Sequence, residues 1–257
     1  MTERTAVVIP ARYGSTRLPG KPLVSIGGTP LIIHIIENIL TAGFPVWVAT
    51  DDERIVQAVG NTPAKSIVID GDFKSGTERV QATLKHIPEE FDIIVNFQVD
   101  EIGFSAASLT RLVSVLSESE LGIATPICPI SKKEELFDRN TVKVVRRRDG
   151  RALYFSRQAI PYMWESPDTW HQSNLFYRHL GIYAFKRNIL NEIAELPESP
   201  LEKAERLEQL RWLENGYDIL TVEVEPVMLP AIDTPSDVEL ANKLFTNASE
   251  TSNSPKY

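Results

Sequence analysis

Apolar positions in the first hundred residues come as short blocks that alternate with stretches of helical spacing. Ala6-Val-Val-Ile9 is a mostly β-branched run closed by Pro10, the pattern of a buried strand that feeds a loop. Leu31, Ile32, Ile35, Ile36 and Ile39 then recur on one helical face, behind Thr29-Pro30, which reads as an N-cap and a first-turn proline. Gly43 closes that helix. Val46 to Ala49 is a second strand, and Asp51 to Ala58 a second helix capped by Asp51 or Asp52. Ser66 to Ile69 and Ile93 to Phe97 supply two more strands. This rhythm calls for a parallel sheet with right-handed crossovers and helices on its faces.

The pattern changes near Leu121. Val142 to Val145 and Ala152 to Phe155, joined across Asp149-Gly150, read as a β-hairpin. Residues 161–178 are aromatic and polar without a clean period, which marks an exposed excursion or interface carrying Trp164, Trp170 and Phe176. Gly181 to Phe185 is a further strand, Leu201 to Glu214 one amphipathic helix, and Asp237 to Phe245 a closing helix. Thr246 to Tyr257 is polar and reads as a disordered tail. The expected organisation is one domain over residues 1–245, with a mixed β-rich subdomain of hairpin and dimerisation character at 121–185.

Composition narrows the function. The 257 residues, 42% hydrophobic and 24% charged, suit a globular chain able to bury a core. A net charge of −8 argues against nucleic acid as a partner, so any anion must be met by a few placed cations. The single cysteine, Cys128, excludes an internal disulfide and reads as buried filler. With no secretory signal and no bilayer-length apolar stretch, the expectation is a cytoplasmic protein without membrane insertion.

Those placed cations gather in PARYGSTRLPGKP, residues 10–22, where the first strand ends. Strand carboxyl ends are where open α/β sheets hold ligands, and turn amides with Arg12, Arg17 and Lys21 suit a triphosphate. A Walker loop does not fit. Gly14 and Gly20 are one residue too far apart, and Pro22 stands where Ser or Thr should hold magnesium.

Further stretches stand in order along the chain: Ser75-Gly-Thr-Glu-Arg79, Gln98 with Asp100-Glu101, Tyr154-Phe-Ser-Arg157, His179-Leu-Gly-Ile-Tyr183, Glu208-Gln-Leu-Arg211 and Asp233-Thr-Pro. Together with the first loop they closely resemble the 3-deoxy-manno-octulosonate (Kdo) cytidylyltransferase family, over residues 6 to about 245. The resemblance implies a Rossmann-like, mostly parallel sheet flanked by helices, of the nucleotide-diphospho-sugar transferase type. It implies coupling of CTP to an acidic 3-deoxy-octulosonate, giving the CMP-sugar and pyrophosphate for lipopolysaccharide. It also implies magnesium and a homodimer.

By the same resemblance Arg12, Lys21, Asp100 and Asp233 are the catalytic set, with Arg17 a weaker candidate beside the phosphates. Asp100 and Asp233 would hold magnesium. Pro10, Ala11, Arg12, Lys21, Ser75 and Arg79 would hold the nucleotide. Gln98, Arg157, His179, Tyr183, Glu208 and Gln209 would line the sugar pocket, Arg157 clamping the carboxylate. Plainer readings compete locally. Asp233-Thr-Pro is also a helix start. His179 and Tyr183 also fit a core, Glu208 and Gln209 a solvated helix face, and Ser75 with Glu78 a capping box. The pattern departs from the family at Val99, where glycine is usual, and at Ile102, where proline is usual. Val99 allows a shifted substrate such as the 8-amino-3,8-dideoxy acid, or a weakened or non-catalytic CTP-binding relative. A sialic-acid-type cytidylyltransferase is the other alternative.

Overall fold

The structure is a computed structural model that describes residues 4–15, 17–226 and 231–252, without side chains beyond residue 245. The chain divides into two compact units. The first comprises residues 6–88, 97–106 and 227–257. Its centre is β1 (Thr5–Pro10), every residue of which is buried. Two short strands follow, β2 (Ser25–Ile26) and β3 (Thr29–Pro30), then α1 (Leu31–Thr41). Next come β4 (Val46–Thr50), α2 (Glu53–Val59), β5 (Lys65–Val68) and α3 (Gly76–Ala82). β1 lies parallel to β4 with Val7 opposite Val46, and β4 lies parallel to β5. This is the parallel sheet that the alternating pattern requires, with Ile32, Ile35, Ile36 and Ile39 of α1 buried.

One helix start differs from expectation, and at a second the structure chooses between the two expected caps. Thr29 does not cap α1, because it is drawn into an antiparallel pair with Ile26. The two residues between them, Gly27 and Gly28, have φ of 58° and 90°, the backbone of a tight primed hairpin turn that favours glycine. Pro30 becomes the N-cap, without a side-chain bond. For α2 the cap is Asp52, whose carboxylate accepts the Arg54 amide at 2.9 Å.

The second unit comprises residues 1–5, 89–96 and 107–226. It contains β6 (Ile93–Asn96), α4 (Ala106–Glu118), β7 (Ile123–Pro129), α5 (Lys133–Phe137), β8 (Lys143–Arg146) and β9 (Ala152–Ser156). β10 (Tyr177–His179), β11 (Tyr183–Lys186), α6 (Arg187–Ala194), α7 (Pro200–Glu205), α8 (Gln209–Glu214) and β12 (Ile219–Glu223) complete it. Its strands run in the order β6-β11-β7-β10-β8-β9, antiparallel at each step, while β12 pairs β7 in parallel. The β8–β9 hairpin forms as the DG signal indicates, with Gly150 at φ 87°.

The excursion at 161–178 is not uniformly exposed. Trp170 and Phe176 are buried with Ile130 and Leu136 in a small satellite core, their rings stacked at 6.0 Å. Trp164 is 91% exposed and Tyr162 75%. The predicted helix 201–214 is two helices, α7 and α8, because Arg206 takes a left-handed conformation (φ 54°, ψ 50°) that ends α7. Back in the first unit, the closing helix α9 spans Pro235–Ser252, running past Phe245 into the stretch read as disordered. Residues 253–257 of that tail lie outside the described residues.

Candidate active site

The loop after β1 is folded on a single carbonyl. The oxygen of Tyr13 accepts the amides of Ser15 and Gly20, both at 2.9 Å, and Gly20 takes φ 70°. A side chain on Gly20 would meet the Tyr13 ring at 3.1 Å, so glycine is needed for space as well as for backbone. The Arg54 guanidinium covers the Tyr13 ring at 3.3 Å from its centroid. This brace turns Lys21 inward, with its side chain only 12% exposed.

Beside the loop is a cavity of about 180 Å³ lined by Pro10, Arg12, Phe73, Ser75, Gly76, Arg79 and Gln98, among others. Ser75 caps α3 by accepting the Glu78 amide at 3.1 Å, while the Glu78 carboxylate reaches the Lys74 amide at 2.8 Å. Arg79 is buried, bonded to Asp51 at 2.9 Å and set over the Phe73 ring. Its Nη1 has no hydrogen-bond partner among the described residues. A buried orphan donor of this kind is costly unless a ligand accepts from it. Four of the expected nucleotide residues, Pro10, Arg12, Ser75 and Arg79, thus line the same cavity as Gln98, expected at the sugar end. Ala11 lies buried at the strand end, its amide bonded to the Ala49 carbonyl.

Asp100 and Asp233 converge. The Lys21 ammonium donates to Asp100 Oδ2 at 2.8 Å and to Asp233 Oδ1 at 2.9 Å, and Arg17 reaches Asp233 Oδ2 at 3.1 Å. Burial would lower the Lys21 pKa, but the two carboxylates outweigh it and raise the value above 10.5. The backbone explains how residues so distant in sequence meet. Phe97 bonds to Val8 beside β1, and the Asp100 carbonyl accepts the Ile232 amide at 3.1 Å. Capping of α9 falls to Thr234 and Asp237, which bond reciprocally. Asp237 Oδ2 accepts the Thr234 amide at 2.7 Å, and Thr234 Oγ1 accepts the Asp237 amide at 3.4 Å. Asp237 also accepts the Asp233 amide at 3.0 Å, so the Asp233 carboxylate is left for cations.

Val99 is buried, and its backbone is not in the left-handed region; Arg206 is the non-glycine residue found there among those described. The usual glycine is therefore not demanded by φ at this position. Ile102 sits in the same turn, its amide bonded to the Asp100 carbonyl at 2.9 Å.

The expected sugar residues other than Gln98 belong to the second unit. Thr125 Oγ1 lies 2.7 Å from the Ile182 carbonyl and 2.9 Å from His179 Nε2. The hydroxyl has one proton, which goes to the carbonyl, so His179 Nε2 is the donor to Oγ1. Burial, helped by Arg178, pushes the His179 pKa down to about 3, which keeps the ring neutral. Burial likewise pushes the Tyr183 phenol well up. Gln209 is buried and its Nε2 lacks a partner among the described residues. Glu208, half-buried, stands at the N-cap of α8.

Arg157 is committed more heavily than its expected clamp role implies. It donates from Nε to the Glu205 carbonyl at 2.8 Å, from Nη1 to Arg139 O at 3.1 Å and from Nη2 to Arg206 O at 3.3 Å. Of its five N–H groups, one on each terminal nitrogen remains uncommitted among the described residues. Three residues that sequence reasoning passed over shape these sites: Asp237, Glu205 and Lys143. Thr234 with an acid three residues on was a readable cap signal. Glu205 and Lys143 carried no local sign.

The profile of the cytidylyltransferase family matches residues 6–219. The 3-deoxy-manno-octulosonate cytidylyltransferase of Methylococcus capsulatus is 44% identical over 246 residues, 92% of this chain and 95% of the relative. That of Parabacteroides distasonis is 40% identical over 245 residues, 93% and 97% of the two chains. A solved CMP:2-keto-3-deoxy-manno-octonic acid synthetase complexed with CTP superimposes with a TM-score of 0.87 at 40% identity, covering 95% of this chain and 99% of that one. A 4-diphosphocytidyl-2C-methyl-D-erythritol synthase from Anaerococcus prevotii, 11% identical with a TM-score of 0.61, shares the fold. The family profile and the likeness to the solved synthetase define a nucleotidyltransferase. The chain belongs to the 3-deoxy-manno-octulosonate cytidylyltransferase family.

Proposed function

We propose that this enzyme couples CTP to Kdo, releasing pyrophosphate and forming the CMP-activated acid that lipopolysaccharide synthesis consumes. The observation that carries the reading is the meeting of Asp100, Asp233 and Lys21 beside the cavity of Arg12 and Arg79. The anomeric hydroxyl of the acid attacks the α-phosphorus of CTP, and both reactants are anions. Arg12 and Lys21 offset that repulsion and the charge on the leaving pyrophosphate. Lys21 remains an ammonium throughout the physiological range, since its pKa is raised. Arg79 offers its orphan N–H to an acceptor on the nucleotide.

Asp100 and Asp233, both bonded to the Lys21 ammonium, present hard carboxylate oxygens of the kind magnesium prefers, a set that phosphate oxygens and water would complete. Asp100 and Asp233 would hold the ion, which supplies Lewis-acid charge and lowers the pKa of a bound hydroxyl. For the acid, Arg157 keeps two N–H groups, the number a carboxylate needs, and neutral His179 serves as a hydroxyl partner. The likeness to Kdo enzymes over nine-tenths of the chain supports Kdo over a sialic acid, and supports turnover over mere CTP binding. The enzyme acts in the cytoplasm as a homodimer, for which exposed Trp164 and Tyr162 supply apolar surface. The deciding assay is pyrophosphate release from CTP and magnesium. Release that needs Kdo supports the reading; CTP binding without turnover on Kdo or its amino analogue would refute it.

A further inference from the structure

Lys143 is a wholly buried cation whose three acceptors are all main-chain oxygens. Its Nζ donates to the carbonyls of Asp138 at 2.8 Å, Thr141 at 2.6 Å and Arg157 at 2.6 Å. An ammonium has three hydrogens, so every one is used. The same knot closes from the other side. The Arg157 guanidinium binds the carbonyls of Arg139, Glu205 and Arg206, and the Glu205 carboxylate accepts from Ser156 Oγ at 2.6 Å and from the Arg157 amide at 3.0 Å. The left-handed turn at Arg206 ends α7 here, where the Glu205 and Arg206 carbonyls are taken by Arg157 instead. Residues 138–141, the end of β9 and the α7–α8 break therefore meet at two cations.

We infer that Lys143 is a positioning residue for acid-sugar binding: by holding the Arg157 carbonyl to the 138–141 segment, it sets where the remaining Arg157 N–H groups point. The inference rests on the reading of Arg157 as the carboxylate partner. An apolar side chain of equal length would fill the space and leave three converging carbonyls without a donor, so the segment would move and Arg157 with it.

The proton on Lys143 gives a readout that a passive packing role does not. Burial pushes its pKa down to about 8; Asp138, Glu205 and Glu135 pull it up and Arg157 pushes it down. Arg178, opposite it across the strand pair, is tied to Glu135, and the Tyr154 phenol is raised by burial and by Glu205. Deprotonation removes a donor from one carbonyl. Linkage runs the other way for global stability: the unfolded chain keeps this proton to about 10.5, so the fold gains from this group as pH rises from about 8. A loss confined to acid-sugar binding over that range is local.

The test is the KM for Kdo and for CTP between about pH 6.5 and about pH 9.5, in wild type and in Lys143→Arg, which stays charged. The wild-type KM for Kdo is expected to rise above about pH 8 with the KM for CTP level, and the arginine variant to lose that inflection. Lys143→Met, checked for folding by circular dichroism and for CTP binding by calorimetry, should raise the KM for Kdo roughly tenfold at neutral pH and leave CTP affinity unchanged. An unchanged Kdo KM in the folded methionine variant overturns the inference, as does an inflection that survives in Lys143→Arg. If the methionine variant does not fold, the comparison of the two pH profiles decides. A wild type that binds CTP yet releases no pyrophosphate with Kdo sinks the cytidylyltransfer reading itself, and the inference with it.

Discussion

Asp233 shows how the bonds one residue makes are set by its neighbours. Asp-Thr-Pro before a helix fits a cap and a cation ligand equally well in sequence. Thr234 and Asp237 take the capping bonds, and the Asp233 carboxylate turns to Lys21 and Arg17. Asp233→Ala and Asp100→Ala should each cut turnover by roughly a hundredfold or more with the melting curve little changed, in line with removal of a charge-stabilising group. Near-normal pyrophosphate release from either variant would remove the pair from the chemistry. His179 belongs to the same scale. Its folded pKa of about 3 lies below the ordinary 6.5, so the unfolded chain binds the extra proton and the fold loses stability as pH falls below 6.5. His179→Gln should flatten the acid-side decline in denaturation midpoint; an unaltered slope would show that the ring is not the group responsible. Gly76 adds a steric case. A Cβ there would stand 2.7 Å from Gln98 Nε2 and 3.3 Å from Pro10, so Gly76→Ala should shift the Gln98 amide into the cavity and raise the KM for CTP several-fold, roughly.

At the scale of elements, α7 and α8 owe their arrangement to an ion pair and a backbone exception. Arg211 meets Glu202 through two bonds of 2.7 and 2.6 Å, and Glu202 also completes the Ser199 capping box of α7. Both side chains are largely buried, so Arg211→Met leaves a carboxylate without its partner and should cost about 3 kcal/mol by chemical denaturation. A cost under about 1 kcal/mol would mean water reaches Glu202 freely. Helical periodicity over 201–214 was legible, but the break at Arg206 was not. Nothing in the local pattern marks an arginine for a positive φ; the Glu205 and Arg206 carbonyls at this point are taken up by the guanidinium of Arg157, about fifty positions earlier in the chain. The Gly27-Gly28 hairpin was readable in principle, and it was masked by the stronger Thr-Pro helix signal beside it.

For the whole molecule, a net charge of −8 repels the anionic substrates of the proposed reaction, and in that reading Arg12, Arg17, Lys21 and Arg79 are the cations placed to receive them. The excursion at 161–178 divides on the same large scale, Trp170 and Phe176 serving a satellite core and Trp164 remaining at the surface. If that surface joins two copies, light scattering at micromolar concentration should give twice the chain mass, and Trp164→Glu should shift it toward one. A monomeric wild type would remove the dimer.

The sequence by itself determined the alternating strands and helices of the first unit, the hairpin at Asp149-Gly150 and the identity of the charged residues. Each of these follows from local periodicity, turn chemistry or residue type, which need no knowledge of distant neighbours. Tertiary structure alone decided that Asp100 and Asp233 share one lysine, that Arg157 is braced by carbonyls and that Lys143 is buried as their counterpart. Those are facts of long-range backbone placement, in which the worth of a charge depends on dipoles and carboxylates brought to it from elsewhere in the chain.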